Sequence, residues 1–290
     1  MDELARLARA DRAAVFTVAA AEQGLPTHIV EKDFWVCWML KRLFEPDLVP
    51  GMVFKGGTSL SKGWNAIPRF SEDVDLTLPR TGLPETAGLD PSAEMSNTKR
   101  GALVTQLKEE LAGWCAGAGM RTLEKRIEAA LGRVDDWKIE AGGADGDTLW
   151  FHYPRGIDGY DYIAPSVRLE FGARMPVQPW QRLSIRPFCA SAGEYSMPSP
   201  DVGVRVLAPE RTFWEKATLI HQVNNRPAHK VGDRVSRHFA DLASLWSSQI
   251  GKDAMDHLDL LATVAEEKEM LYPSPVADYP AAGRGQLRLT

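Results

Sequence analysis

Met52-Val53-Phe54-Lys55-Gly56-Gly57-Thr58-Ser59-Leu60-Ser61-Lys62, followed after a short loop by Ser71-Glu72-Asp73-Val74-Asp75-Leu76-Thr77-Leu78, decides how this chain folds. It reads as strand, Gly-Gly turn, short helix, loop and second strand. Amides at the start of a helix have no partner within it and sit at the positive end of its dipole, and glycines leave them unshielded. Gly56, Gly57, Thr58 and Ser59 are therefore suited to anionic oxygens. The order is not that of a Walker loop, G-x-x-x-x-G-K-[ST]. Asp73 and Asp75, two apart in an apolar strand, project from one face with about 7 Å between them along the chain. A Gly-Gly pair alone is only a tight turn, but two carboxylates on one face repel and resist burial. A divalent cation such as Mg²⁺ removes that cost. Together the two features predict a metal-dependent nucleotide site.

The rest of the composition is that of an ordinary globular chain: 290 residues, 44% apolar and 25% charged. Cys37, Cys115 and Cys189 stand far apart without C-x-x-C spacing, which argues against a disulfide framework or a zinc site and suits a reducing cytoplasm. No basic segment leads into a long apolar core near Met1, and no apolar run approaches the roughly 20 residues of a membrane span. A cytoplasmic location without membrane contact is expected. The net charge of −5 speaks against a nucleic-acid binder. Its distribution is uneven, however: Arg205, Arg211, Lys216, Arg226, Lys230, Arg234 and Arg237 face only Glu210, Glu215 and Asp233 in that stretch, which predicts a basic patch on an acidic body.

Propensity and punctuation predict an Ala-rich helix over residues 2–23 and a second from Thr27 to about Phe44, with Glu31-Lys32-Asp33 on its exposed face. Pro79 to Thr98 reads as a loop, Lys99 to Ala116 as a helix, and a Gly-punctuated turn precedes a charged segment, 121–132. Residues 141–147 form a turn before a strand from Thr148. In Ser166-Val-Arg-Leu-Glu-Phe171, alternation buries Val167, Leu169 and Phe171 and leaves Arg168 and Glu170 on the other face. A helix is expected from Ala208 to Val223, with Lys216 at the edge of its apolar stripe, where a lysine ordinarily snorkels to water. A last helix, 233–249, precedes an extended strap, 272–290.

Gly56-Gly57-Thr58-Ser59-Leu60-Ser61-Lys62, followed by Arg69-Phe70-Ser71-Glu72-Asp73-Val74-Asp75-Leu76, resembles the AbiEii/AbiGii nucleotidyltransferase toxins, which include the MenT toxins. These belong to the DNA polymerase beta-like superfamily. The likeness extends through Glu31-Lys-Asp-Phe-Trp, Phe213-Trp-Glu-Lys216 and His238-Phe-Ala-Asp241. It implies an α/β (α+β) fold, with a small mixed sheet flanked by helices in residues 1–200 and a mainly helical part in 201–290. It implies Asp73, Asp75, Lys216 and Asp241 as catalytic residues, and Lys55, Gly56, Gly57, Thr58, Ser59, Lys62 and Ser71 as nucleotide-binding ones. Asp73 and Asp75 are the expected metal ligands. Glu170 is either their third partner or a solvent-facing carboxylate. For Asp241 a salt bridge to a neighbouring helix stands beside a role in orienting Lys216 or the substrate. The implied reaction moves an NMP unit from an NTP, with Mg²⁺ or Mn²⁺, onto a hydroxyl at the 3′ end of tRNA. The implied partner is an antitoxin. Nucleotidylation of a protein or small-molecule hydroxyl, or a non-catalytic nucleotide-binding module, are the alternatives.

Overall fold

The computed structural model describes residues 1–87, 89, 95–132, 136–158, 164–226 and 235–289. Helices α1 (Asp2–Arg6) and α2 (Arg9–Gln23) replace the expected single N-terminal helix, because Leu7 and Ala8 turn extended between them. Helix α2 stops where Gly24 takes a left-handed φ of 65°. Helix α3 (Thr27–Phe44) spans the predicted residues but is buried almost throughout, its charged Glu31, Lys32 and Asp33 included. Their expected exposure is thereby corrected. A solvated face would leave a charged group water, whereas here backbone amides, carbonyls and opposite charges replace it.

Strand β1 (Val53–Lys55) runs into a short helix α4 (Gly56–Thr58), continued by a π-turn through Gly63, and β2 (Val74–Thr77) returns antiparallel. Helix α5 (Asn97–Trp114) starts at Ser96, whose hydroxyl accepts from the Lys99 amide at 3.3 Å. It continues through a π-turn, 115–119, into α6 (Met120–Leu131), so the expected Gly-punctuated break is a distorted helical turn. Strands β3 (Lys138–Gly142) and β4 (Thr148–His152) form a hairpin over the expected turn. Strands β5 (Ser166–Gly172) and β6 (Trp180–Ile185) follow, then a two-residue pair, β7 (Ser191–Ala192) and β8 (Tyr195–Ser196), and β9 (Val202–Leu207).

Seven strands make one mixed sheet in the order β3-β4-β5-β2-β1-β9-β6. β2 lies parallel to β5, and β1 parallel to β9. Because β9 hydrogen-bonds to β1, the sheet runs past the expected boundary at residue 200, and the helical part begins at α7 (Pro209–Asn224). It continues with α8 (Ser236–Trp246), α9 (Gln249–Asp256), α10 (Leu258–Leu271) and α11 (Tyr279–Gly283). Helix α11 sits in the stretch expected to be a strap. Lys230, Asp233 and Arg234 of the expected basic patch lie outside the described residues.

Two apolar cores result. In the first, α3 packs on β5 and β9, Trp35 stacks on Tyr153 at 5.4 Å, and Trp38 stacks on Phe151 at 5.6 Å. Each such pair contributes about 0.5–1.5 kcal/mol beyond area burial. The second joins Phe213, Trp214, Leu242, Leu245 and Leu261 to Leu60 and Ile67 from the Gly-Gly stretch. The helical half is thus anchored on the element that carries the two glycines, and a cleft opens between the halves. No helix among the described residues is long and apolar enough to cross a membrane.

Candidate active site

Alternation in β2 and β5 sends their apolar residues to the core and leaves Asp75 and Glu170 on the opposite face. Ladder register then aligns three side chains in one row, since Lys55 pairs with Asp75 and Asp75 with Glu170. Laterally paired residues share a face and sit within about 5.5 Å at Cβ. The Asp75 carboxyl is pushed up to about 7, first by burial and then by Glu170, which hydrogen-bonds to it, and by Asp73, against the opposing charge of Lys55. Glu170 is also ion-paired to Arg168. Asp73 lies just outside β2, a quarter exposed, with Arg237 Nη1 3.9 Å away.

The Gly-Gly turn closes directly over Asp75. Gly56 has a φ of +77°, and a Cβ there would fall 1.9 Å from Asp75 Oδ2, so only glycine fits. A Cβ on Gly57 would fall 2.9 Å from Arg69 Nη2. Thr58 and Ser59 are fully buried and turn their hydroxyls inward. Thr58 Oγ1 donates to the Asp73 carbonyl and hydrogen-bonds Ser71 Oγ at 2.9 Å, while Ser59 Oγ donates to the Gly56 carbonyl at 2.9 Å. These side chains build the turn, and the Ser59 amide also donates to the Gly56 carbonyl.

Asp241 lies 2% exposed at the centre of a second cluster. It accepts from Arg69 at 2.6 and 2.8 Å, a two-pronged contact, and from Lys216 Nζ at 2.9 Å. Burial opposes its ionisation, but Arg69 and Lys216 outweigh it and hold the carboxyl below its ordinary value. The expected salt bridge from Asp241 to a neighbouring helix is thus present, with Lys216 of α7 as its partner. His238, one turn earlier on α8, is driven down to about 4 by burial and by Lys216 and Arg237, and is neutral at physiological pH.

A cleft of about 480 Å³ between the halves is lined by Lys55, Gly56, Asp75, Glu215, Lys216 and Lys268, among others. Lys62 does not reach it. Its ammonium is ion-paired to the buried Asp33 at 2.8 Å, donates to the Arg186 carbonyl at 2.8 Å and lies over the Phe188 ring. Lys268 of α10 stands in the cleft instead, donating to the Glu215 carbonyl at 2.7 Å. Burial lowers it to about 8 against the pull of Glu215, with Lys55 and Arg211 adding to the fall. In sequence, Glu266-Glu267-Lys268-Glu269 looks like a solvated charge run, and nothing in it signals a cleft residue. Arg69 was visible only as part of the quoted motif, its partner 172 residues away. Among the described residues of the basic stretch, Arg205 pairs with Asp47, Arg211 with Glu215 and Glu267, and Lys216 with Asp241.

Among the described residues no group of three or more His, Cys, Asp or Glu side chains is arranged to hold a metal ion. Mg²⁺ does not need one, because it commonly takes one or two carboxylates and completes its octahedron with water and substrate phosphates. The hydrogen-bonded Asp75–Glu170 pair, with Asp73 two residues away, fits that open mode. Two carboxyls this close need either a shared proton or a cation between them.

The family model described as nucleotidyl transferase AbiEii toxin, type IV TA system, matches residues 38–288. Among solved structures the chain is similar to MenT4, a nucleotidyltransferase toxin from Mycobacterium tuberculosis H37Rv. That match has 18% identity over 95% of this chain and 75% of that one, with a TM-score of 0.44. A comparison with curated proteins gives no match. The family match takes in the Gly-Gly turn, both aspartates, Lys216 and Asp241, and since it covers most of the chain, the protein belongs to the AbiEii nucleotidyltransferase toxins of type IV toxin–antitoxin systems.

Proposed function

We propose that this nucleotidyltransferase uses an NTP and Mg²⁺ to attach an NMP unit to the 3′ end of tRNA, blocking translation until a cognate antitoxin restrains it. The observation that carries the chemistry is the row Lys55–Asp75–Glu170 beneath the Gly56-Gly57 turn, facing Lys216 across the cleft. The acceptor and the antitoxin follow from family membership, and a cytoplasmic site of action follows from where NTP and tRNA occur.

In the reaction an acceptor hydroxyl forms a bond to the α-phosphorus of the NTP, the bond to the β-phosphate oxygen breaks, and pyrophosphate leaves. Asp75, Glu170 and Asp73 would hold the divalent cation, which when bound lowers the pKa of the hydroxyl and neutralises leaving oxygens. The amides of Gly57 and Thr58 are offered to the phosphates. Lys216, fixed by Asp241, presents its charge to the departing pyrophosphate, and Lys55 and Lys268 add to the cationic wall. Arg69, gripped by the same carboxylate, holds the loop ahead of Ser71 in place.

The test is incubation with each α-labelled NTP, Mg²⁺ and total cellular RNA or lysate. Label in tRNA that requires an intact 3′ hydroxyl is the expected result. Label confined to protein or to small molecules overturns the acceptor, and no label with any NTP overturns the chemistry.

A further inference from the structure

Glu31, Lys32 and Asp33 are three consecutive charged residues of α3, each no more than 3% exposed. Burying a charge is costly unless paired and hydrogen-bonded, and each of these three is tied to a different segment. Glu31 accepts from the Gly156 and Ile157 amides, and Asp33 accepts from the Phe188 amide at 2.7 Å and from Lys62. Lys32 is placed differently. Its ammonium donates to the carbonyls of Ala164, at 3.0 Å, and Ser166, where β5 begins, and is ion-paired at 3.1 Å to Glu72 Oε2, at the approach to β2.

β2 and β5 are parallel neighbours whose ladder starts at Val74 and Leu169. Asp73 precedes that ladder, so strand pairing does not fix it. Its carbonyl is held from one side by Thr58 Oγ1, and its neighbour Glu72 is held from the other by Lys32. The same ammonium grips β5 four residues before Glu170. We propose that Lys32 is a positioning residue of the nucleotidyl-transfer site, which sets Asp73 against the Asp75–Glu170 pair by tying Glu72 to the start of β5. This rests on the metal-dependent reading above. Lys32 is no ligand of nucleotide or acceptor in this reading; it acts through Glu72, the acid with which it is ion-paired.

The test uses the full chain, with Mn²⁺ alone as the probe, read by electron paramagnetic resonance and by the Mn²⁺-induced shift in melting temperature. Glu72→Gln keeps the size of the side chain and removes the charge that Lys32 holds. Lys32→Met removes the clamp itself, and Lys32→Arg keeps the charge on a shape that cannot place three donors at one point. Loss of an outer-shell partner ordinarily costs roughly 10–100-fold in metal affinity. Glu72→Gln should weaken Mn²⁺ at least roughly 10-fold on that scale, with melting without metal little changed. Lys32→Met should add nothing further in the double variant, the signature of one coupled unit. Should Lys32→Met not fold, Glu72→Gln and Lys32→Arg decide alone. Wild-type Mn²⁺ affinity in Glu72→Gln overturns the role of Lys32 and leaves the metal site standing. Failure of the wild type to bind Mn²⁺ overturns the metal reading and this inference with it.

Discussion

Asp75 and Glu170 are lateral partners in the parallel ladder of β2 and β5, and their carboxyls are hydrogen-bonded to each other. Such a pair is stable only with a proton or a cation between its oxygens. Asp73→Ala and Asp75→Ala should therefore abolish transfer while the fold survives. Full activity of either purified variant in excess Mg²⁺ sinks the assignment.

The same pair makes metal-free stability depend on pH. Asp75 is raised from its ordinary 3.8 to about 7, so between those values the folded state binds the proton that the unfolded chain has lost. Stability should fall as pH rises through that window. Asp75→Asn should flatten the slope, and calorimetry in chelator at several pH values measures both.

Lys216 and Lys62, both lysines of the expected site, should behave in opposite ways. Lys216→Ala removes charge from the cleft and should lower kcat by about 10²–10³-fold, the scale of one lost transition-state contact. Lys62→Ala leaves Asp33 buried without its partner, which costs about 3–5 kcal/mol of stability. Its melting temperature should drop while kcat per folded molecule is retained. An effect of Lys216→Ala confined to the KM for NTP returns that residue to ground-state binding.

Asp241 should act through Lys216 and Arg69 rather than by itself. Asp241→Asn should reproduce most of the kcat loss of Lys216→Ala, and the double variant should be far from additive. Additive losses would show that Asp241 has separate work to do.

For the proposed RNA acceptor, the described residues of the basic stretch that would meet it are Arg226 at the cleft and Arg237, 44% exposed and 3.9 Å from Asp73. Each phosphate contact releases counterions, so tRNA labelling should fall steeply between about 50 and 200 mM salt. Charge reversal of Arg226 should weaken RNA binding more than NTP binding. Flat labelling across the salt range removes RNA from consideration.

Alternation and punctuation were enough to place β5, α3 and α7 within a residue, because period-2 and period-3.6 patterns are local properties, whereas β2 begins at Val74, three residues after the expected Ser71. The two-residue spacing of Asp73 and Asp75 was legible too, but Asp73 precedes the ladder that holds Asp75, so their shared face was not. Tertiary structure alone decided which charges do what. Lys62 and Lys268 look alike as sequence, one in a motif and one in a charge run, yet Asp33 draws the first away while α10 carries the second into the cleft. Glu31-Lys32-Asp33 reads as a solvated helix face, and its burial became visible only once β5 and the segments around Gly156 and Phe188 packed over it. A side chain's type and spacing are written in the sequence. Whether its charge meets water, a nucleotide or a carbonyl depends on residues far along the chain, and only the folded chain brings those together.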